Sequence, residues 1–427
     1  MNILLIALGS HGDVHPFVGI GLRLRERGHH VAVAANEYFK PLIDHASLEF
    51  VEVGTADEYR KLATNPDLWH PTRAPHAVFE GTAHYLRRIY DITVDFARRP
   101  DSIVAASSLA LGARVAQDAH RIPMATVHLS PSIFQSVHAP PMFMPFNLFP
   151  AWTPRWVYRG LWAVINKIMD RTIGPLLSEL RAESGLPPVK NILRDYWHSP
   201  RQVIGMFPDW FGPIQPDWPK QVTLTGFPLF DEPDLSPISA ELDQFLRAGE
   251  PPIAFTPGSA MWQAHEFFAA SAEACVRLKR RGLLLTRHRD HLPPTLPPGV
   301  IHVHYAPFST LLPRCAAFVH HGGIGSSAQA LASGVPQLVT PFAHDQPDNA
   351  DRLTRLGVAE TLPARKYKPS RIVPALDRLL RSSEIAQSCR RVKERFAGVD
   401  PLGQTCDLIE SLRSPTGAAA PVAAGRA

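Results

Sequence analysis

The chain has 427 residues, 45% hydrophobic and 19% charged, enough apolar content for several cored domains and too much for intrinsic disorder. A formal net charge of +5 without any Lys/Arg cluster argues against nucleic acid as a partner and leaves anionic small molecules or a membrane surface. Cys275, Cys315, Cys389 and Cys406 are scattered with no CxxC pair, which argues against a zinc site or disulfide framework and for a cytoplasmic protein, at most peripheral to the membrane.

The N-terminus, MNILLIALGSHGD, has no basic region ahead of its apolar run, so 2–8 reads as a buried first strand and not as a signal peptide. A Gly/polar loop over 9–14 precedes a helix predicted from near His15, with Pro16 at its first position and Gly28 as its stop. A strand over 31–35 completes a strand–helix–strand unit. Strand 103–106, helix 111–119 and strand 124–129 continue the alternation. From 122 to 154 there is no Asp, Glu, Lys or Arg, and repeated prolines forbid a spanning helix. That segment is either a buried irregular connector or an apolar wall of a substrate pocket.

Pro- and Trp-rich sequence over 140–219 interrupts the alternation, with a helix expected at 156–169. A polar, Pro-broken stretch at 231–237 reads as an interdomain linker. A second series follows: strands at 253–256, 282–286, 301–304, 316–319 and 337–340, with helices at 266–281, 326–333, 348–356, 371–380 and 385–396. The Ala-rich 413–427 is expected to be a disordered tail. Two α/β halves, 1–232 and 233–412, favour a ligand in the cleft facing the carboxyl ends of both sheets.

Loops after strands therefore hold the candidate chemistry. His320-His321-Gly322-Gly323-Ile324-Gly325-Ser326-Ser327 follows a strand and opens a helix. Its glycines admit an anion to backbone N–H groups at the positive helix end, with a histidine and Ser326 as further donors. There is no Walker lysine, so nothing calls for ATP hydrolysis; the plain alternative is a glycine-rich turn with a capping serine. Asp345-Gln346 at the next loop tip can hold sugar hydroxyls, although Asp348 as a helix cap would also explain the acidic run. Tyr305 ends a strand and can stack on a nucleobase or lie in a core. Gly258 and Ser259 offer an N–H and a hydroxyl to phosphate.

Taken in order, these motifs resemble the donor-binding signature of the GT-B glycosyltransferases that serve plant, macrolide and glycopeptide products. The resemblance implies an α/β GT-B fold of two Rossmann-like domains, the first for acceptor and the second for donor. It puts Tyr305 on the base; Gly258, Ser259, His321, Gly323 and Ser326 on the diphosphate; and Asp345 and Gln346 on the sugar. Family members carry a Gly-His-x-x-Pro or Gly-Asp-x-x-Pro loop after strand one, here Gly12-Asp13-Val14-His15-Pro16. Asp13 is thereby the general base, and an N-terminal helix cap is its alternative role. His11 and His15 flank it and could assist or replace it.

Segments spread over nearly the whole sequence are similar to the catalytic subunit of the rhamnolipid rhamnosyltransferases: Leu109-Ala110-Leu111-Gly112-Ala113-Arg114, Ser130-Pro131-Ser132, Asp217-Trp218-Pro219 and Thr225-Gly226-Phe227-Pro228 among them. That similarity implies an inverting transfer of L-rhamnose from dTDP-L-rhamnose to the hydroxyl of a 3-hydroxyacyl lipid. The alternative is a macrolide, flavonoid or sterol-like aglycone. The acceptor side would comprise His11, His15, Ser130, Phe134 and Phe143. No Asp-x-Asp occurs in the sequence, so no metal is expected, and no cofactor.

Overall fold

Ile3, Leu4, Leu5 and Ile6 are fully buried, yet Ile3 and Leu5 belong to one core and Leu4 and Ile6 to another. Period-two alternation sends successive side chains to opposite faces, and a strand buried on both faces reads as a continuous apolar run. The computed structural model describes residues 1–70, 73–142, 152–231, 238–258 and 264–413. Ile3–Ile6 lie in β1 (Asn2–Ile6) of a seven-stranded sheet that also holds β2 (His30–Asn36), β3 (Glu49–Gly54), β4 (Ser102–Ser107), β5 (Met124–His128), β6 (Gln202–Gly205) and β7 (Val222–Leu224). Strand order is β3-β2-β1-β4-β5-β6-β7, parallel throughout.

The second sheet repeats the logic: Ile253 and Phe255 face one core, Ala254 the other. Its strands are β8 (Ile253–Thr256), β9 (Gly282–Leu285), β10 (Val300–Val303), β11 (Ala317–His320), β12 (Gln337–Val339) and β13 (Ala359–Thr361). They pair in parallel in the order β10-β9-β8-β11-β12-β13. Order reverses at β1 in one sheet and at β8 in the other. The loops leaving β1 and β4, and those leaving β8 and β11, therefore diverge and open a crevice at the strand ends.

Three expectations are corrected. The first long helix runs His11–Glu26 and starts at Ser10, not near His15, because Ser10 and Asp13 form a capping box. Pro16 lies inside it, where its missing N–H would have met the carbonyl of exposed Gly12. The 140–219 region, read as an interruption, holds the expected helix as Arg155–Thr172, then Gly174–Glu183 and β6, so the parallel sheet continues through it. Finally, helix Pro401–Ser411 does not pack with the second sheet. Cys406, Ile409 and Leu412 share a core with Phe17 and Ile20, and Arg27 pairs with Asp407 at 2.6 Å and Glu410 at 2.9 Å. The linker 232–237, and the tail from 414, lie outside the described residues. All four cysteines are free thiols.

Candidate active site

Asp13 enters the crevice from the first turn of the helix after β1. Its Oδ2 accepts from the backbone N–H of Ser10 at 2.7 Å and from the Ser10 hydroxyl at 3.0 Å. Gly9 has φ +127°, and a Cβ there would stand 2.3 Å from Asp13 Oδ2, so only glycine lets the carboxylate fold under the loop. Burial raises the Asp13 pKa above its usual value, and the two Ser10 hydrogen bonds only partly oppose this. Cap and base are thus compatible roles. Oδ2 holds the helix start, and no hydrogen bond among the described residues engages Oδ1.

His11 and His15 follow on the same helix, their rings 5.7 Å apart. Arg287, in the loop after β9, reaches across the crevice and puts Nη1 2.8 Å from His11 Nε2. A guanidinium only donates, so Nε2 accepts and His11 is neutral. Burial, then the Arg287 charge, hold His11 down to about 3 and His15 to about 4. The Nε2 of His11 is thus occupied by Arg287, and burial makes both imidazoles weak bases. Tyr38 and Phe39 contact the His11 ring edge-on, and Tyr38 stacks on Tyr59 at 4.6 Å; Phe39 is buried in the core behind them, and Tyr38 is the ring of the three that lines the crevice.

On the facing domain the His320–Ser327 loop divides its labour. His320 is buried and structural: its Nδ1 accepts from the Gly322 N–H at 3.1 Å, and its Nε2 meets the Gln337 Oε1 at 3.0 Å. His321 turns into the crevice between two glycines. A Cβ on Gly258 would lie 2.7 Å from the His321 ring, and one on Gly323 2.4 Å from its Nε2. Those glycines therefore clear space for an imidazole as well as for an anion. Nδ1 of His321 is buried with no partner, and burial holds the ring at about 4. Gly323 caps helix Ile324–Ser333, leaving the first-turn N–H groups pointing at the same space.

Asp345 and Gln346 lie at the start of the next helix, Gln346–Arg355. Asp345 Oδ2 accepts from Asn349 Nδ2 at 2.7 Å. Gln346 is buried and its Oε1 accepts from the Phe342 and Ala343 N–H groups at 2.8 and 3.2 Å, so half of its carboxamide shapes the loop. His344 sits at φ +61° with its ring 5.6 Å from Trp69 of the first domain. Burial and the nearby negative charge of Asp13 outweigh the Asn349 bond and push Asp345 up to about 7. The two carboxylates thus sense one another across the crevice. This predicts that nucleotide-sugar affinity, measured calorimetrically, rises with pH through about 7 as Asp345 ionises. The midpoint should move to lower pH in Asp13→Asn and vanish in Asp345→Asn, and nucleoside diphosphate lacking the sugar should show no such step.

Tyr305 lies beside Arg287, whose guanidinium carbon is 5.4 Å from the ring centroid, and its hydroxyl donates to the Asp231 carbonyl at 3.1 Å. A crevice of about 220 Å³ joins His11, His15, Gly258, Arg287, Tyr305 and Ser326. Two acceptor candidates fall elsewhere. Phe134 is core, stacked on Trp218 at 4.3 Å, because the first sheet needs an aromatic seal there. Ser130 is buried and meets Ser132 at 3.1 Å and Asn349 at 3.5 Å, a tie between domains. Ser259 and Phe143 lie outside the described residues. Sequence reasoning missed Arg287 and Tyr38; both stand in loops leaving strands, the one signal that could have found them.

Two parallel α/β sheets facing a crevice, with a buried carboxylate at the helix start after β1 and a glycine-rich helix start after β11, have the GT-B arrangement. Residues 3–139 match the glycosyltransferase family 28 N-terminal domain, and 283–405 the C-terminal domain of erythromycin biosynthesis protein CIII-like proteins. The chain is 31% identical to O-mycaminosyltylonolide 6-deoxyallosyltransferase of Streptomyces fradiae over 96% of its length and 97% of the relative's. It is 31% identical to glycosyltransferase GtfC of Amycolatopsis orientalis (85% and 86% covered), and 26% to a sterol 3-beta-glucosyltransferase of Arabidopsis thaliana (93% and 64%). The kitacinnamycin glycotransferase superposes with a TM-score of 0.70 at 22% identity, covering 96% of this chain and 98% of the other. Glycosyltransferase VinC, solved with dTDP, gives 0.65 at 18%, covering 97% and 99%. The chain belongs to the GT-B glycosyltransferases of the family 28/erythromycin CIII-like group, the macrolide and glycopeptide glycosyltransferases.

Proposed function

We propose that the protein is an inverting, metal-independent glycosyltransferase that moves a sugar from a nucleoside diphosphate, a thymidine nucleotide in the first instance, to a hydroxyl of an apolar ring-system aglycone. The observation that supports it is the closeness of Asp13, on the first domain, to Asp345, on the second, near enough that the charge of one raises the pKa of the other. The acceptor oxygen attacks the anomeric carbon in line while Asp13 Oδ1 takes its proton. The C–O bond to the diphosphate breaks, and the charge on the leaving oxygen is met by the helix N-terminus at Gly323 and by His321. Asp345 and Gln346 hold the sugar, Tyr305 the base. The first domain presents the acceptor and the second the donor.

The relatives named above favour a macrocyclic or sterol-like acceptor over the 3-hydroxyacyl lipid and L-rhamnose that the rhamnolipid resemblance implied. Tyr38, which lines the crevice and is held in place by stacking on Tyr59, supports the same choice, since a ring system gains more from an aromatic face than a flexible acyl tail does. Incubating the protein with a panel of nucleotide sugars against macrolactone, sterol and 3-hydroxyacyl acceptors, with products weighed by mass spectrometry, tests the assignment. Glycosylated 3-hydroxyacyl lipid with no ring-system product would overturn the acceptor class, and no transfer to any acceptor would overturn the function.

Turnover is expected to survive excess EDTA. Among the described residues the group spaced to share an ion is His288, Asp290 and His291, which contains neither Asp13 nor Asp345. An absolute Mg²⁺ or Mn²⁺ requirement would contradict the assignment of diphosphate stabilisation to His321 and the helix end.

A further inference from the structure

Helix Arg155–Thr172 packs through Trp162, Asn166 and Met169, with Ile165 half-buried beside them, and turns its opposite side to solvent. On that solvent side Trp156 is 70% exposed, Val164 57% and Ile168 53%; Trp152 just before it is 80% exposed. Leu176, on the following helix Gly174–Glu183, extends the same apolar surface. Apolar side chains this large are seldom left in water as a contiguous set without a partner.

Charge identifies the partner. Arg155, Arg159, Lys167 and Arg171 are interleaved with those apolar residues and are all exposed. No ion pair among the described residues engages any of the four. Asp170, the acid of this helix, faces inward and accepts from the N–H groups of Asn191 and Ile192 at 2.8 and 2.9 Å. Arg159, Lys167 and Arg171 also line a cavity of about 900 Å³ with Lys190 and Arg194, the last paired with Asp195, against two acids, Asp170 and Asp217. A surface with tryptophans and aliphatics at its centre, uncompensated long cations around them and a basic recess alongside fits the headgroup layer of an anionic bilayer. The rings insert at the interface and the cations rise to phosphates. No described helix is long and apolar enough to cross a membrane, so the contact is superficial.

We propose that helix Arg155–Thr172 and Leu176 form a docking face for anionic lipid bilayers, independent of which acceptor the active site takes. The test is co-sedimentation of the full-length protein with vesicles of phosphatidylglycerol and phosphatidylcholine in equal parts, against pure phosphatidylcholine, at low and high salt. The wild-type protein should bind the anionic vesicles and be released by salt. Trp156→Glu with Ile168→Glu, both at exposed positions, should weaken that binding at least tenfold. Arg155→Gln, Arg159→Gln, Lys167→Gln and Arg171→Gln together should abolish the preference for phosphatidylglycerol while leaving dTDP affinity unchanged. The proposal is overturned if the wild type ignores anionic vesicles or if both variants bind as it does. It is equally overturned if the wild type sediments as an oligomer that Trp156→Glu with Ile168→Glu dissolves, for the face would then join copies of the protein.

Discussion

Replacing Asp13 by Asn should cut turnover by roughly 10²–10⁴-fold, the usual size of general-base catalysis, while dTDP affinity at pH 8 stays nearly constant. The substitution is close to isosteric, and an amide oxygen can still accept from the Ser10 N–H and hydroxyl, so the helix start survives. What is lost is proton affinity at Oδ1. An aspartate at its ordinary pKa would be a feeble base at neutral pH; the raised pKa of Asp13 narrows that gap. Stopped assays beside calorimetry decide the matter. If Asp13→Asn keeps wild-type turnover, His11 is the next group to test, since movement of Arg287 off its Nε2 would expose a second base.

The other large effect belongs to His321. Its removal as Ala should weaken nucleoside-diphosphate binding by about 1.5–3 kcal/mol, the scale of a hydrogen bond to a charged group. A companion variant separates this side chain from general damage. In Gly258→Ala the new methyl would meet the imidazole at 2.7 Å from a backbone held at φ +97°, so the ring is displaced although the residue remains. Both variants should show the same loss of dTDP affinity by calorimetry. A His321→Ala protein that binds dTDP like wild type would remove His321 from the diphosphate site.

The parallel sheets were legible because their strands are buried on both faces: runs such as Ile3–Ile6 and Ile253–Thr256 carry the signal themselves. Strands β6 and β7, of four and three residues, are too short to show any period, so the region around them read as an interruption. Pro16 misled the placement of the first helix because its strong preference for a first turn outweighed a capping box whose acid is Asp and not Glu. The donor-side candidates stood out as motifs because each sits in a short loop leaving a strand. Arg287 was not, because its significance lies in reaching His11 from another domain, a relation absent from local sequence. Phe134 shows the converse error: an uncharged, aromatic stretch looks alike whether it lines a pocket or fills a core.

The return of helix Pro401–Ser411 to the first sheet means that the polypeptide passes between the domains twice. Both passages are adjacent: Phe230, on the outgoing segment, and Leu402, on the returning one, converge on Gly19, where a Cβ would stand 3.1 and 3.4 Å from them. Phe227 stacks on Phe396 at 6.2 Å in the same region. Both segments thus press on one point of the helix that carries Asp13, and a side chain introduced at Gly19 would push against each of them.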